Sequence, residues 1–218
     1  MKELCVIFAG GEISPDTLAL PEDCYLICAD RGLLHAERLG RKPDYIVGDF
    51  DSLGYIPSYE GVVIHPVQKD DTDTMLAVKQ ACARGFREVW IYGALGGRLD
   101  HTMANIQALQ YLAKHGIRGM LISENNRVTL QTAGTKQQYP RREGWYFSLL
   151  SFSERCIGVC ISGVEYPLEE AVLSQDFPLG VSNHILSEFA EVSLREGCLL
   201  VIESRDSEPN SLHANIMG

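Results

Sequence analysis

Asp49 and Asp51 stand one residue apart in Gly48-Asp49-Phe50-Asp51-Ser52, just past the apolar run Asp44-Tyr45-Ile46-Val47. Extended residues i and i+2 share a side, so both carboxylates can converge on one divalent cation while Phe50 turns into packing. A second acidic stretch follows, Lys69-Asp70-Asp71-Thr72-Asp73, and a third, Gly96-Gly97-Arg98-Leu99-Asp100-His101. Acids gathered at one sheet edge repel unless a counter-charge is present, and Mg2+, a hard cation that shares ligands with phosphate, supplies it. Asp51 and Asp73 are the best-placed ligands. Asp71 is open to two readings, ligand or solvated turn. The bland alternatives are a solvated turn at Asp49 and Asp51 and ordinary helix capping at Asp70–Asp73 and Asp100.

Cations accompany the acids. Gly96-Gly97-Arg98 combines permissive backbone with a guanidinium fork suited to phosphate oxygens. Arg31, in Asp30-Arg31-Gly32, and Lys69 are further phosphate candidates. His101 either touches ligand or only packs, and Asn105, one turn on, is expected to face the same way. Gly180-Val181-Ser182-Asn183 reads as a tight turn that also offers a hydroxyl and an amide to a polar heterocycle. Trp145 reads as a core residue before it reads as a stacking platform. The scattered histidines do not form a zinc site, and neither GxxxxGK[ST] nor an early GxGxxG occurs.

These residues need elements to hold them. Leu4–Ala9, Cys24–Ala29, Asp44–Val47, Val62–His65, Val89–Tyr92 and Gly119–Ser123 read as six buried strands. Helical spacing appears over Leu33–Leu39, from Thr72 to Gly85 and over Asp100–His115, with a short helix expected to start at Ser14-Pro15-Asp16. Strand alternating with helix predicts a parallel sheet covered on both faces, with the acidic and glycine motifs at the strands' carboxyl ends. Beyond Asn125 the pattern becomes short β segments at Arg127–Leu130, Trp145–Leu150, Ile157–Ile161, Ser187–Leu194 and Cys198–Ile202. The expected fold is α/β: an N-terminal three-layer αβα parallel-sheet nucleotide domain over 1–125 and a C-terminal all-β sandwich over 126–218.

Composition bounds the partners. The 218 residues carry a net charge of −10, which argues against binding nucleic acid or an anionic membrane through a broad basic face. Seven irregularly spaced cysteines read as buried reduced thiols. With no signal-like or membrane-spanning stretch read, the expected compartment is the cytoplasm.

Taken in order, the motifs at Asp30, Gly48–Ser52, Lys69–Asp73, Gly96–His101 and Gly180–Asn183 resemble those of the thiamine pyrophosphokinase family. The resemblance implies transfer of pyrophosphate from ATP to thiamine with Mg2+, releasing AMP, in a homodimer with active sites between subunits. It implies that Asp49, Asp51, Asp71 and Asp73 hold the metal and that Asp100 lies near the reacting centre. Arg31, Lys69, Arg98, His101 and Asn105 would line the nucleotide side, and Ser182 and Asn183 of the partner subunit the thiamine pyrimidine. Direct attack of the thiamine hydroxyl on the β-phosphorus suits a chain without an evident activated nucleophile, with Asp71 or Asp100 taking or orienting the proton. Two rivals stand beside this reading: a Mg2+-dependent nucleotide phosphohydrolase with Asp49 or Asp51 as nucleophile, and a non-catalytic nucleotide- or thiamine-binding module.

Overall fold

A computed structural model describes residues 3–14, 18, 20–48, 50, 62–64 and 71–206, with residues 62–64 described by backbone alone. Asp49, Asp51, Lys69 and the expected helix start at Pro15-Asp16 lie outside the described residues.

The N-terminal part alternates as expected. Strands β1 (Leu4–Phe8), β2 (Tyr25–Ala29), β3 (Tyr45–Gly48), β4 (Val62–Ile64), β5 (Glu88–Tyr92) and β6 (Arg118–Ile122) all pair in parallel. Helix α1 (Gly32–Arg38) follows β2, α2 (Asp73–Ala83) follows β4, and α3 (Leu99–Lys114) follows β5. Side chains of a strand alternate between faces. Cys5 and Ile7 therefore pack with Ala77, Val78 and Ala81 of α2 and with Leu109 and Leu112 of α3. Val6 and Phe8 point the other way, against Leu33 and Ala36 of α1. Three layers result.

The remaining strands are β7 (Asn126–Thr132), β8 (Lys136–Pro140), β9 (Tyr146–Ser151), β10 (Arg155–Ser162), β11 (Leu168–Ser174), β12 (Gly180–Asn183), β13 (Phe189–Ser193) and β14 (Cys198–Ser204). They form a β-sandwich domain, but its two layers have different origins. Strand β7 pairs antiparallel with β6, so the N-terminal sheet continues into one mixed sheet in the order β12-β9-β14-β7-β6-β5-β1-β2-β3-β4. The second layer is a separate sheet, β11-β10-β13-β8. Phe147, Leu149, Leu199 and Val201 face Cys156, Val159, Ile161 and Val192 between the layers, while Leu200 points back to the core beneath α2 and α3. Gln131 is a fully buried polar residue in the interlayer space. Gln131 donates through Nε2 to the Val192 carbonyl (2.9 Å) and its Oε1 accepts from the Tyr139 hydroxyl (3.0 Å).

Three strands were not legible as such. Strands β8 and β11 lie in weakly apolar sequence, and the expected turn at Gly180–Asn183 is the edge strand β12, paired with β9 through an irregular register. Trp145 is not a core residue: it precedes β9, half-buried, under the guanidiniums of Arg142 and Arg205. The cysteines are free thiols, five of them buried. No helix among the described residues is long and apolar enough to cross a membrane.

Candidate active site

From β1 the chain moves outward through β2, β3 and β4, then returns to lay β5 on the opposite side of β1. Such a reversal parts the loops at the strands' carboxyl ends and opens a crevice. A cleft of about 830 Å³ lies there, bounded by Gly10–Ser14 after β1, Leu95–Gly97 after β5, and Ser123–Asn126 between β6 and β7. Helix α1 closes one side with Arg31, Leu34, His35 and Arg38.

Two glycine turns interlock at its base. The Gly11 N–H donates to the Gly93 carbonyl (2.9 Å), and the Ala9 N–H to that of Tyr92 (2.8 Å). A Cβ on Gly11 would stand 2.4 Å from the Gly93 oxygen, so the approach requires the absence of a side chain. Gly96 and Gly97 differ: both have positive φ and open space around them, so backbone conformation rather than crowding selects them. His35 braces the first turn, donating through Nε2–H to the Gly11 carbonyl at 2.7 Å. Burial holds its pKa below the ordinary value, and the neighbouring Arg38 and Arg31 act the same way.

The candidate residues divide by location. Arg31 lines the cleft. Arg98 and Asp100 form a bidentate pair, Nε–Oδ1 3.1 Å and Nη2–Oδ2 2.5 Å, on the exposed first turn of α3. The Arg98 guanidinium holds the Asp100 carboxyl down to about 2, assisted by the His101 N–H that donates to Oδ1. Asp100 is thus not the N-cap expected of it; Arg98 occupies that position. His101 is exposed, whereas Asn105 is buried and donates to the Ala94 carbonyl at 2.8 Å. Through that bond Asn105 braces the β5–α3 loop, one turn along α3 from His101.

Asp71 and Asp73 flank Thr72, whose Oγ1 caps α2 by accepting from the Met75 N–H (3.2 Å). Asp71 Oδ2 pairs with Lys79 Nζ at 2.6 Å, and Asp73 begins the helix, where its charge suits the dipole. Among the described residues no group of three acidic, histidine or cysteine side chains is assembled. The carboxylate oxygens of Asp71 and Asp73 are nonetheless hard donors at the sheet's carboxyl edge, a donor type that fits Mg2+.

Ser182 and Asn183 lie far along the same sheet, in the sandwich. Asn183 is buried: Oδ1 accepts from the Tyr166 N–H (3.0 Å) and the His184 N–H (2.9 Å), and Nδ2 donates to the Tyr166 carbonyl (2.8 Å). Ser182 is exposed with φ 60°, and its N–H donates to Ser148 Oγ (3.0 Å). Beside them an apolar recess of about 250 Å³ opens between Phe147, Leu149, Ile161, Tyr166 and Leu168.

Sequence reasoning missed His35, Arg38 and Ser123–Asn126 as cleft residues. The last carried a readable signal, a polar run following an apolar strand at its carboxyl end. His35 carried none, because a histidine within a helical stripe looks like packing.

The fold and cleft define a two-domain α/β protein with a ligand crevice at the switch point of its parallel strands. Two family descriptions match the chain: "Thiamin pyrophosphokinase, catalytic domain" over residues 18–121 and "Thiamin pyrophosphokinase, vitamin B1 binding domain" over residues 134–199. The chain belongs to the thiamin pyrophosphokinase family. It is 28% identical over 214 residues to a thiamine pyrophosphokinase of Bacillus subtilis (strain 168), covering 94% of this chain and 100% of the relative. The crystal structure of a B. subtilis thiamine pyrophosphokinase superposes with a TM-score of 0.85 at 28% identity over 94% and 100% of the two chains. That of Geobacillus thermodenitrificans gives 0.82 at 28%, covering 94% and 99%. The Candida albicans enzyme, at 19% identity and a TM-score of 0.76 over 93% and 88%, shares the fold.

Proposed function

We propose that this protein transfers pyrophosphate from ATP to the hydroxyl of thiamine, giving thiamine diphosphate and AMP. The observation that carries the reading is the cleft at the strand reversal between β1 and β5, in a chain whose two parts match the catalytic and vitamin B1-binding families. Its glycine turns admit a ligand against bare backbone, and Arg31 adds a cation for phosphate.

Asp71 and Asp73, together with Asp49 and Asp51 outside the described residues, are the proposed Mg2+ ligands. Bound there, the metal would polarise the phosphoryl oxygens and offset their charge. Arg31, Lys69, Arg98, His101 and Asn105 are proposed for the nucleotide side. Asn105 acts by fixing the β5–α3 loop. The thiol pKa values of Cys5 and Cys28 are pushed well up by burial, so these cysteines are protonated rather than nucleophilic, in keeping with direct attack on the β-phosphorus.

The proposed division is 1–125 for the nucleotide domain and 126–218 for the thiamine-binding and dimerisation domain. Ser182, exposed next to the apolar recess, would meet thiamine, with Asn183 holding the strand that presents it. A homodimer is supported by an exposed apolar cluster around the edge strand β12: Phe177 (63% exposed), Leu179 (53%) and Val181 (48%). The free cysteines suit a reducing compartment, and the proposed location is the cytoplasm. The test is AMP formation from ATP with and without thiamine and Mg2+. Thiamine-dependent, Mg2+-dependent AMP lost in Asp73→Ala is the expected result, and AMP or phosphate release indifferent to thiamine would overturn the reading.

A further inference from the structure

The wall of the cleft between β6 and β7 is held by the far end of the chain's last strand. Strand β14 pairs with β7 up to Ser204–Asn126, which brings Arg205 beside the turn. The Arg205 N–H donates to the Asn125 carbonyl (3.0 Å), its Nε to Asn125 Oδ1 (2.9 Å), and its Nη2 lies 3.7 Å from Glu124 Oε1. Both Asn125 and Glu124 line the cleft. The guanidinium itself is fixed from behind, 5.6 Å from the Trp145 ring centroid, and that ring also carries Arg142 at 5.9 Å. Arg142 in turn donates to the buried carboxylate of Glu203 (2.9 Å), on β14 two residues before Arg205. A contiguous layer, Glu203–Arg142–Trp145–Arg205, therefore backs two cleft residues.

One member of that wall is ill suited to its place. Glu124 presents a carboxylate to a cleft read as taking a polyphosphate, and like charges there oppose binding. We propose that Arg205 is a positioning residue for the nucleotide: it draws the Glu124 carboxylate toward itself, offsets its charge and fixes the Asn125 side chain. The inference rests on the reading of the cleft as the nucleotide site. The backbone bond from Arg205 to Asn125 does not depend on the side chain, and that side chain is 40% exposed, so its removal leaves the fold intact. The pair is partly solvated, so its effect is larger at low ionic strength.

The experiment compares the full chain with Arg205→Ala, Arg205→Lys and Arg205→Ala/Glu124→Gln. Calorimetric binding of Mg-ATP without thiamine, hydrogen exchange at residues 123–126, and initial rates are the readouts. Arg205→Ala is expected to weaken Mg-ATP binding and raise the ATP KM about tenfold. Both kcat and the thiamine KM stay within about twofold, and exchange at 123–126 rises. Arg205→Lys recovers part of the loss, and removing the Glu124 charge in the double variant recovers most of the electrostatic share. Unchanged ATP binding and exchange in Arg205→Ala overturns the proposal, as does a double variant no better than the single one. Faster exchange at 123–126 beside a wild-type protein that binds no Mg-ATP overturns it differently: the clamp stands, and the nucleotide reading of the cleft fails.

Discussion

His35 Nε2 and the Gly11 carbonyl oxygen are 2.7 Å apart, and through that hydrogen bond α1 supports the glycine turn after β1. The imidazole is buried, and its pKa is held down by burial with Arg38 and Arg31 adding to the effect. Protonation does not break the bond, since the ring still donates, but it places a third cation among two arginines. The folded state therefore binds fewer protons here than the unfolded chain, whose histidine titrates near about 6.5. The stabilisation is complete above that pH and is lost as pH falls through the lower folded value. Urea midpoints of the wild type should drop more between about pH 8 and pH 5 than those of His35→Gln, which keeps a donor without a titrating ring. Equal slopes would contradict this role.

Arg98 and Asp100 lead to a statement about the reaction. A carboxyl held down to about 2 is an anion throughout the neutral range and a weak base. It can orient a cation or a hydroxyl but is poorly matched to accept a proton. Asp100→Asn should lower kcat by about tenfold, by the same factor at every neutral pH, short of the ~10²- to 10⁴-fold loss expected of a general base. A change in the acidic limb of the pH–rate profile would instead assign it the proton.

Gly11→Ala tests the interlocked turns. The added methyl would stand 2.4 Å from the Gly93 oxygen, backbone that cannot rotate away. Denaturant unfolding should show a loss of about 1–3 kcal/mol, together with weaker nucleotide binding, because both turns line the cleft or brace it. Gly40→Ala, at a positive φ with open space, is the comparison: strain without the clash, and no effect on binding.

The exposed cluster around β12 makes a prediction about assembly. Phe177→Glu with Val181→Asp should shift the protein from dimer to monomer in sedimentation. Each chain should stay folded, since both residues are exposed in the single chain. A monomeric wild type, or a double variant that still dimerises, would remove this surface from the interface.

Most of the N-terminal part was legible because buried parallel strands are continuous apolar runs bounded by charged residues or glycine, as in Cys24–Ala29 and Val89–Tyr92. Phe50 is buried, as an apolar residue between two acidic positions suggests, but its φ of 61° is left-handed, so the extended backbone on which that expectation rested does not hold at Phe50. Strands β8 and β11 did not read, because Lys136–Pro140 and Leu168–Ser174 have one buried residue each, Tyr139 and Leu173, and draw their order from pairing with β13 and β10. The different burial of His101 and Asn105 was hidden for a related reason: helical spacing places them one turn apart but does not say which one meets Ala94. Arg205 is the extreme case. Its partners are Asn125, 80 residues earlier, and Trp145, and only the register of β14 against β7 brings them together.

The most direct test of the central claim follows the β-phosphorus. ATP labelled at that phosphate is mixed with the protein, MgCl2 and thiamine in a single turnover, and the products are separated. Direct transfer predicts the label in thiamine diphosphate with one AMP for each, and none of it as free phosphate. Label appearing as inorganic phosphate or pyrophosphate, or ADP as the nucleotide product, would contradict the account.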